Sequence, residues 1–361
     1  MYKFDVTTSK GSYEVEIGNQ IIVNSSNTFD VVIMDSFFTN ELIINTTCIP
    51  FDARESTKNL KGVEEVLVSM NQLGMRRDSA ILAVGGGVVQ DVATLAASLY
   101  MRGISWTYAP TTMMAMLDSC IGGKSSINTG GVKNLIGNIY PPSRVLVDIQ
   151  FASSLPMEAK VSGLSEAVKI CFARGPKYFE KFLEVASAPS QFGDSKFLDT
   201  SIELVRLSLE TKKWFIEVDE FDNAERLLLN FGHTFAHALE AALDFSIPHG
   251  IAVAIGMQAA IYFSDFQSTL SEKLFTYING LASELPPRLR STLNDMNWQE
   301  FERALLSDKK SSTKNLRFVL PNVNGNLELK SFDRSDVTVK RAKDATYAAL
   351  QSFSANLPDP L

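Results

Sequence analysis

The apolar run at 80–84, Ala-Ile-Leu-Ala-Val, ends in Gly85-Gly86-Gly87 and passes without a spacer into a helix pattern over 88–101. No other feature narrows the architecture of this chain as much. A short, wholly apolar run bounded by glycines reads as a strand buried on both faces, and a helix that follows it at once returns to the sheet as a strand–helix–strand crossover. The surrounding sequence repeats the theme. Residues 2–6 and 12–17 alternate about Ser9-Lys10-Gly11 and predict an antiparallel hairpin, 30–34, 106–109 and 145–147 predict strands, and 55–75 carries Val63, Val66, Leu67, Met70 and Leu73 at helical spacing, with a further helix from Thr111. After Pro156 the strand signal largely stops. Helices are predicted over 157–173, 176–187, 196–217, 230–243, 249–268 and 270–282, with one late strand-like run at 316–320. The expected fold is α/β: an N-terminal Rossmann-like domain with a parallel sheet over 1–155, then a mostly α-helical domain over 156–361.

Composition removes several classes of function. With 45% apolar residues among 361, the chain can bury a large core. Thirty-four basic against 41 acidic residues give a net charge of −7, which argues against nucleic acid as the main partner. Cys48, Cys120 and Cys171 lack metal-finger or redox spacing and read as reduced thiols, the usage of a cytoplasmic protein. The N-terminus alternates polar and apolar residues and shows no secretory pattern, and the longest apolar stretches are interrupted by Gln90 and Asp91 or by His249, against a membrane span.

The polar residues then fall into clusters. Gly85-Gly86-Gly87 is either a tight strand-to-helix turn or a place where backbone N–H groups approach a phosphate; the full six-residue dinucleotide fingerprint is absent. Asp118-Ser-Cys-Ile-Gly-Gly-Lys124 and Lys133-Asn134 are dense in polar function, as loops near a ligand are. Glu166 and Lys169 stand at i, i+3 on an otherwise apolar helix, either as an ion pair or as a metal ligand beside a substrate-binding cation. All three histidines lie between 233 and 249, with His233 and His237 at i, i+4 and His249 opening the next helix. Together with Glu166 they match the N/O donor set of a catalytic zinc site with an open position, and the H-E-x-x-H protease pattern is missing. By spacing alone Lys212, Asp219-Glu220, Asp222 and Arg226 are a solvated charged face.

Taken in order, GGGVVQD (85–91), YMRG (100–103), PTT (110–112), DSCIGGK (118–124), KNLIG (133–137), GLSEAVK (163–169), LLNFGHTFAHALE (228–240), PHGIAVAIGM (248–257) and DKK (308–310) resemble the 3-dehydroquinate synthase family, within the wider sugar phosphate cyclases. The resemblance runs from about residue 35 to 320. It implies NAD and a divalent metal, zinc or cobalt, as cofactors, with the N-terminal domain binding NAD and the C-terminal domain metal and substrate. It implies Glu166, His233 and His249 as metal ligands and Asp35, Glu55, Lys58, Gly86, Gly87, Val88, Asp91, Thr111, Thr112, Lys133, Phe151 and Ser154 around the NAD. Substrate would meet Asp118, Lys124, Asn134, Lys169, Lys212, Arg226, Asn230, His237 and Lys309, with Arg102 reaching in from the partner of a homodimer, and Asp222 would stand at the family's proton-handling position. The family's substrate, 3-deoxy-arabino-heptulosonate 7-phosphate, carries a phosphate and a carboxylate, which suits a site rich in Lys and Arg. Its conversion runs through transient oxidation by NAD, β-elimination of phosphate, re-reduction, ring opening and intramolecular aldol closure.

The sequence departs from the family pattern at several positions. Gln90 stands where Gly is usual and is expected to crowd the cofactor turn; Asp222 stands where Glu is usual, shortening its reach by about 1.5 Å. Ser125-Ser126, Thr129-Gly130-Gly131 and Phe37 also differ. These departures keep sister activities open. Valiolone-forming cyclases typically lose the histidine at His237 and inosose synthases the arginine at Arg226, so a carboxylated substrate is favoured here, with an aminodehydroquinate synthase as the nearest alternative. A polyol dehydrogenase resembling glycerol dehydrogenase would not need so many anion-binding residues, and a non-catalytic NAD-binding protein would lack ligands that this chain retains.

Overall fold

The computed structural model describes residues 1–22, 28–42, 45–186, 188–307 and 315–359. It divides the chain into two units, Met1–Leu155 with Gly193–Glu220, and Pro156–Phe192 with Phe221–Leu361. The expected cut near residue 155 therefore leaves 193–220 on the wrong side. Helix Leu198–Val218 belongs to the first unit because it lies on the N-terminal hairpin: Glu210 accepts from the Tyr2 hydroxyl at 2.6 Å, Glu217 from the Thr7 N–H at 2.9 Å, and Glu220 from the Ser9 N–H at 2.7 Å.

The first unit is built on a seven-stranded sheet. Its strands are β1 (Tyr2–Thr8), β2 (Gly11–Gly18), β3 (Val31–Asp35), β4 (Thr47–Phe51), β5 (Ala80–Gly85), β6 (Ser105–Pro110) and, after a separate hairpin of β7 (Lys124–Thr129) and β8 (Val132–Ile139), β9 (Arg144–Asp148). The order is β1-β2-β9-β6-β5-β3-β4, parallel throughout except for the β1/β2 pair. Central strands β3, β5 and β6 are buried along nearly their whole length, as a sheet covered on both faces requires. Strand β4 escaped the sequence pattern because Pro50 interrupts it; at the sheet edge a missing N–H is tolerated. The helix expected over 55–75 is shorter, Leu60–Gln72, since Asn59 caps it by accepting from the Gly62 N–H at 3.0 Å. The helix expected from Thr111 shrinks to a single π turn, Ala115–Ser119.

The second unit is mostly helical. Helix His249–Ser264 is buried on all sides and forms its axis. Two glycines allow that burial: a Cβ on Gly250 would fall 2.0 Å from the Ser162 carbonyl oxygen, and one on Gly256 would fall 2.3 Å from that of Gly232. Helices Met157–Arg174, His233–Ala242 and Asp336–Ala355 pack around it, and a hairpin of β10 (Asn315–Pro321) and β11 (Leu327–Asp333) closes one side. The late strand at 316–320 thus has a partner that its own sequence did not reveal. Among the described residues no helix is long and apolar enough to cross a membrane.

Candidate active site

In the second unit, helix Met157–Arg174 places Glu166 and Lys169 one turn apart, 1% and 3% exposed, in a direct ion pair. The left-handed Gly232, at φ +78°, turns the chain into helix His233–Ala242, and Pro248 opens the helix that begins at His249. These local features bring three donors together. Glu166 Oε1 lies 3.9 Å from His233 Nε2 and 3.6 Å from His249 Nε2, and the three donor atoms all fall within 4.8 Å of one another. Ligands about 2.0–2.1 Å from a tetrahedral ion sit roughly 3.3–3.5 Å apart, so this set fits a divalent metal with little adjustment.

The imidazoles are oriented for that role. His233 Nδ1 lies 3.3 Å from the Phe231 carbonyl oxygen and His249 Nδ1 lies 3.1 Å from Glu240 Oε1, so each ring can donate through Nδ1 and present Nε2 to Glu166. Burial alone would lower the His249 pKa; its hydrogen bond to Glu240 and the charges of Glu166 and Glu240 outweigh that and raise it, against the opposing charge of Lys169. Glu240 was missed in the sequence. The signal was available, because an acid seven residues after His233 and three after His237 shares their helix face. His237 is exposed and falls in a second set of nearby donors with Glu240 and His249. Arg226 is buried in the turn Glu225–Asn230, Asn230 donates through Nδ2 to the Leu227 carbonyl at 2.9 Å, and Asp222 sits at φ +64°.

In the first unit the parallel strands end side by side at one edge of the sheet, β3 at Asp35, β5 at Gly85 and β6 at Pro110, with β5 in the middle. A Cβ on Gly86 would come within 2.8 Å of Thr112 Cγ2, whereas one on Gly87 would meet nothing within 4 Å. A side chain at Gly86 would therefore push Thr112 aside. Gly87, followed by Val88, leaves open space over the first turn of helix Gly87–Leu99, the setting in which backbone N–H groups hold a pyrophosphate. The neighbouring Thr111 N–H donates to the Gly85 carbonyl at 3.0 Å. Gln90 does not crowd this turn: its side chain, 4% exposed, donates to the Ser119 carbonyl at 2.7 Å and accepts from the Ser119 hydroxyl at 2.8 Å.

One turn into that helix, Asp91 accepts from Lys58 Nζ at 3.2 Å and from the Ser126 N–H at 3.0 Å. Lys58 also donates to Asn134 Oδ1 at 2.8 Å and lies 3.4 Å from Glu55. Asn134, expected beside the substrate, thus joins the residues expected around the nucleotide. Burial pushes Asp91 up to about 6, against the opposing pull of Lys58 and the Ser126 N–H. A raised carboxylate pKa makes the native state the stronger proton binder, so this group's contribution to stability falls as pH rises from 3.8 through about 6. Thermal melts should therefore show the unaltered protein gaining on Asp91→Asn as pH is lowered from about 7 to about 5; a gap independent of pH would contradict the shift.

The remaining positions are also placed. Asp118 pairs with Lys212, whose Nζ additionally donates to the Asp118 carbonyl at 2.6 Å. Burial pushes the neighbouring Cys120 up to about 12, so the thiol stays protonated. Lys124 and Lys133 are exposed on the β7/β8 hairpin, and Arg102 is exposed at φ +71°. Asp35 accepts from the Phe37 N–H at 3.1 Å; Phe151 is buried edge-on against Phe38, and the Ser154 hydroxyl donates to the Phe151 carbonyl at 3.4 Å. Lys309, with the DKK segment, lies outside the described residues.

The fold, a unit built on a mostly parallel sheet and a mostly helical unit, is shared with solved structures of several enzymes. A crystal structure of 2-deoxy-scyllo-inosose synthase complexed with carbaglucose-6-phosphate, NAD⁺ and Co²⁺ matches with a TM-score of 0.81 at 22% identity, covering 96% of this chain and 99% of that one. The 2-epi-5-epi-valiolone synthase of Streptomyces hygroscopicus, with NAD⁺ and Zn²⁺ bound, matches at 0.74 and 22% over 95% and 98%. The family models for the N-terminal and C-terminal parts of 3-dehydroquinate synthase match residues 48–162 and 163–311. A 3-dehydroquinate synthase of Pelagibacter ubique is 34% identical over 89% of this chain and 92% of its own length, and one of Francisella tularensis subsp. holarctica is 35% identical over 81% and 80%. The chain belongs to the 3-dehydroquinate synthase family.

Proposed function

We propose that the protein is a 3-dehydroquinate synthase, converting 3-deoxy-arabino-heptulosonate 7-phosphate to 3-dehydroquinate and phosphate. The observation that carries this reading is the convergence of Glu166, His233 and His249 beside the buried Lys169, in a chain whose relatives bear that name. Glu166, His233 and His249 would hold a divalent metal, zinc or cobalt, and the glycine turn with Asp91 and Lys58 would hold NAD. When bound, the metal would supply Lewis acidity and NAD a reversible hydride acceptor.

The chain's own residues do the rest. Lys124, Lys212, Arg226 and Lys309 offer cationic donors to a phosphate and a carboxylate, and the planar guanidinium of Arg226 suits bidentate capture of the carboxylate. Lys169, held on Glu166, keeps a positive charge beside the ligand set where an alkoxide or enolate would develop. His237 and Asp222 are the side chains assigned to proton handling, and Asn230 a hydrogen-bonding position. Arg102 is assigned to a partner subunit's site in a homodimer, which a monomeric mass in solution would refute.

A sister cyclase acting on a carboxylated amino analogue is the second reading, since the sequence retains both Arg226 and His237 and either carboxylated substrate suits them. The test offers purified protein the heptulosonate phosphate, its amino analogue, sedoheptulose 7-phosphate and glucose 6-phosphate separately, following phosphate release and the carbocycle formed. Turnover of the first is expected; turnover only of another would replace the assignment.

A further inference from the structure

The π turn Ala115–Ser119 ends in three consecutive carbonyls that side chains from two other helices capture. The Leu117 carbonyl accepts from the Ser208 hydroxyl at 2.7 Å, that of Asp118 from Lys212 Nζ at 2.6 Å, and that of Ser119 from Gln90 Nε2 at 2.7 Å. A helical turn that stops leaves its last carbonyls without helical donors, and here the chain stops at once, because Gly122 and Gly123 follow at φ +98° and +61°. Ser208 and Lys212 lie one turn apart on helix Leu198–Val218, so one helix holds two of the carbonyls. Gln90 holds the third from helix Gly87–Leu99 and closes a reciprocal pair, since its Oε1 accepts from the Ser119 hydroxyl. Both Gln90 and Ser208 are buried.

From this arrangement we infer that Gln90 is a positioning residue for substrate: through Ser119 it fixes the turn that carries Asp118 and, with it, the Nζ of Lys212. The inference rests on the proposed reading of Asp118 and Lys212 as substrate contacts. Its physical content is that Lys212 is gripped twice by one residue, by carbonyl and by carboxylate, so a shift of the turn moves the cation itself. Gln90 sits on the same helix as Gly87 and Asp91, one turn past the glycines. A purely structural role there would be felt by the nucleotide; a positioning role through Ser119 would be felt by the sugar phosphate.

The experiment separates these effects. Gln90→Met keeps the side-chain length and removes both hydrogen bonds, Ser119→Ala removes one of them, and Lys212→Met tests the underlying reading. For each variant, kcat and KM for the heptulosonate phosphate, NAD affinity by calorimetry, and Tm are measured. Gln90→Met is expected to lower kcat/KM roughly 10- to 100-fold with NAD affinity unchanged, Ser119→Ala to lower it less, and the double variant to be no worse than Gln90→Met. An unchanged kcat/KM in Gln90→Met, or NAD affinity falling in step with it, would overturn the inference while Lys212→Met still loses activity. Full activity in Lys212→Met would instead remove the reading beneath it, and the inference with it. Should Gln90→Met fail to fold, Ser119→Ala alone decides by the same two comparisons.

Discussion

Replacing Glu166 with glutamine is expected to strip the divalent metal and to lower turnover by about a thousandfold or more. Catalytic metals contribute several kcal/mol of stabilisation to developing oxygen charge, and each 1.4 kcal/mol is a factor of ten. The glutamine is nearly isosteric, so the change removes charge and ligand strength and leaves volume intact. It also leaves the buried Lys169 facing a neutral amide, which adds to the loss. His233→Ala and His249→Ala should lose metal likewise, whereas His237→Ala should retain it and lose activity alone, because His237 Nε2 and Nδ1 are not in the set with Glu166. Metal content by elemental analysis of the purified variants decides the point: equal loss in all three histidine variants would mean that His237 is a ligand. Glu240 gives a graded control. Glu240→Gln keeps an acceptor near His249 Nδ1 but removes the negative charge, and weakens metal affinity by an expected 10- to 100-fold without abolishing it.

How much of this was legible beforehand depends on which physical signal each feature carries. The glycine turn after β5 and the buried strands were visible because continuous apolar runs ending in glycine have few other solutions in a parallel sheet. The three histidines with Glu166 stood out as a chemical cluster, but the choice of His233 and His249 over His237 came from the family resemblance, and the meeting of Glu166 on helix Met157–Arg174 with histidines on two later helices is tertiary packing that no local pattern encodes. The β7/β8 hairpin was hidden, since its exposed Lys133, Asn134 and Leu135 show neither alternation nor an apolar run and read as loop. The domain assignment of 193–220 was hidden for another reason. Helix Leu198–Val218 is joined in sequence to helices of the second unit, and the acids that fasten it to the N-terminal hairpin, Glu210, Glu217 and Glu220, look like an ordinary solvated face. Gln90 carried a wrong expectation: sequence position put it beside the cofactor turn, but side-chain direction, which position does not encode, takes it to Ser119.

Lys169→Met is expected to destabilise the metal-free protein more than the metal-loaded one, and this difference is the most direct measure of what the pair with Glu166 does. In the metal-free state a carboxylate that is 1% exposed loses its contact with an ammonium that is 3% exposed. Removing one partner of a buried ion pair costs about 3–5 kcal/mol, because the desolvation of the other charge is no longer offset. A divalent ion bound by Glu166, His233 and His249 replaces that offset with a larger charge at shorter range, so saturating metal should recover much of the loss. Methionine preserves the length and apolar body of the lysine, which keeps cavity formation out of the comparison. Urea unfolding of both proteins with chelator and with excess zinc supplies the four free energies of the cycle. A deficit of the same size in both conditions would show that the contribution of the ammonium does not depend on the uncompensated charge of Glu166, and would overturn this account of the pair. Lys169→Met should in addition tighten metal binding, since a nearby positive charge opposes the incoming cation, while turnover still falls; tighter metal with lost activity would separate this residue from the ligands, in which the two losses go together.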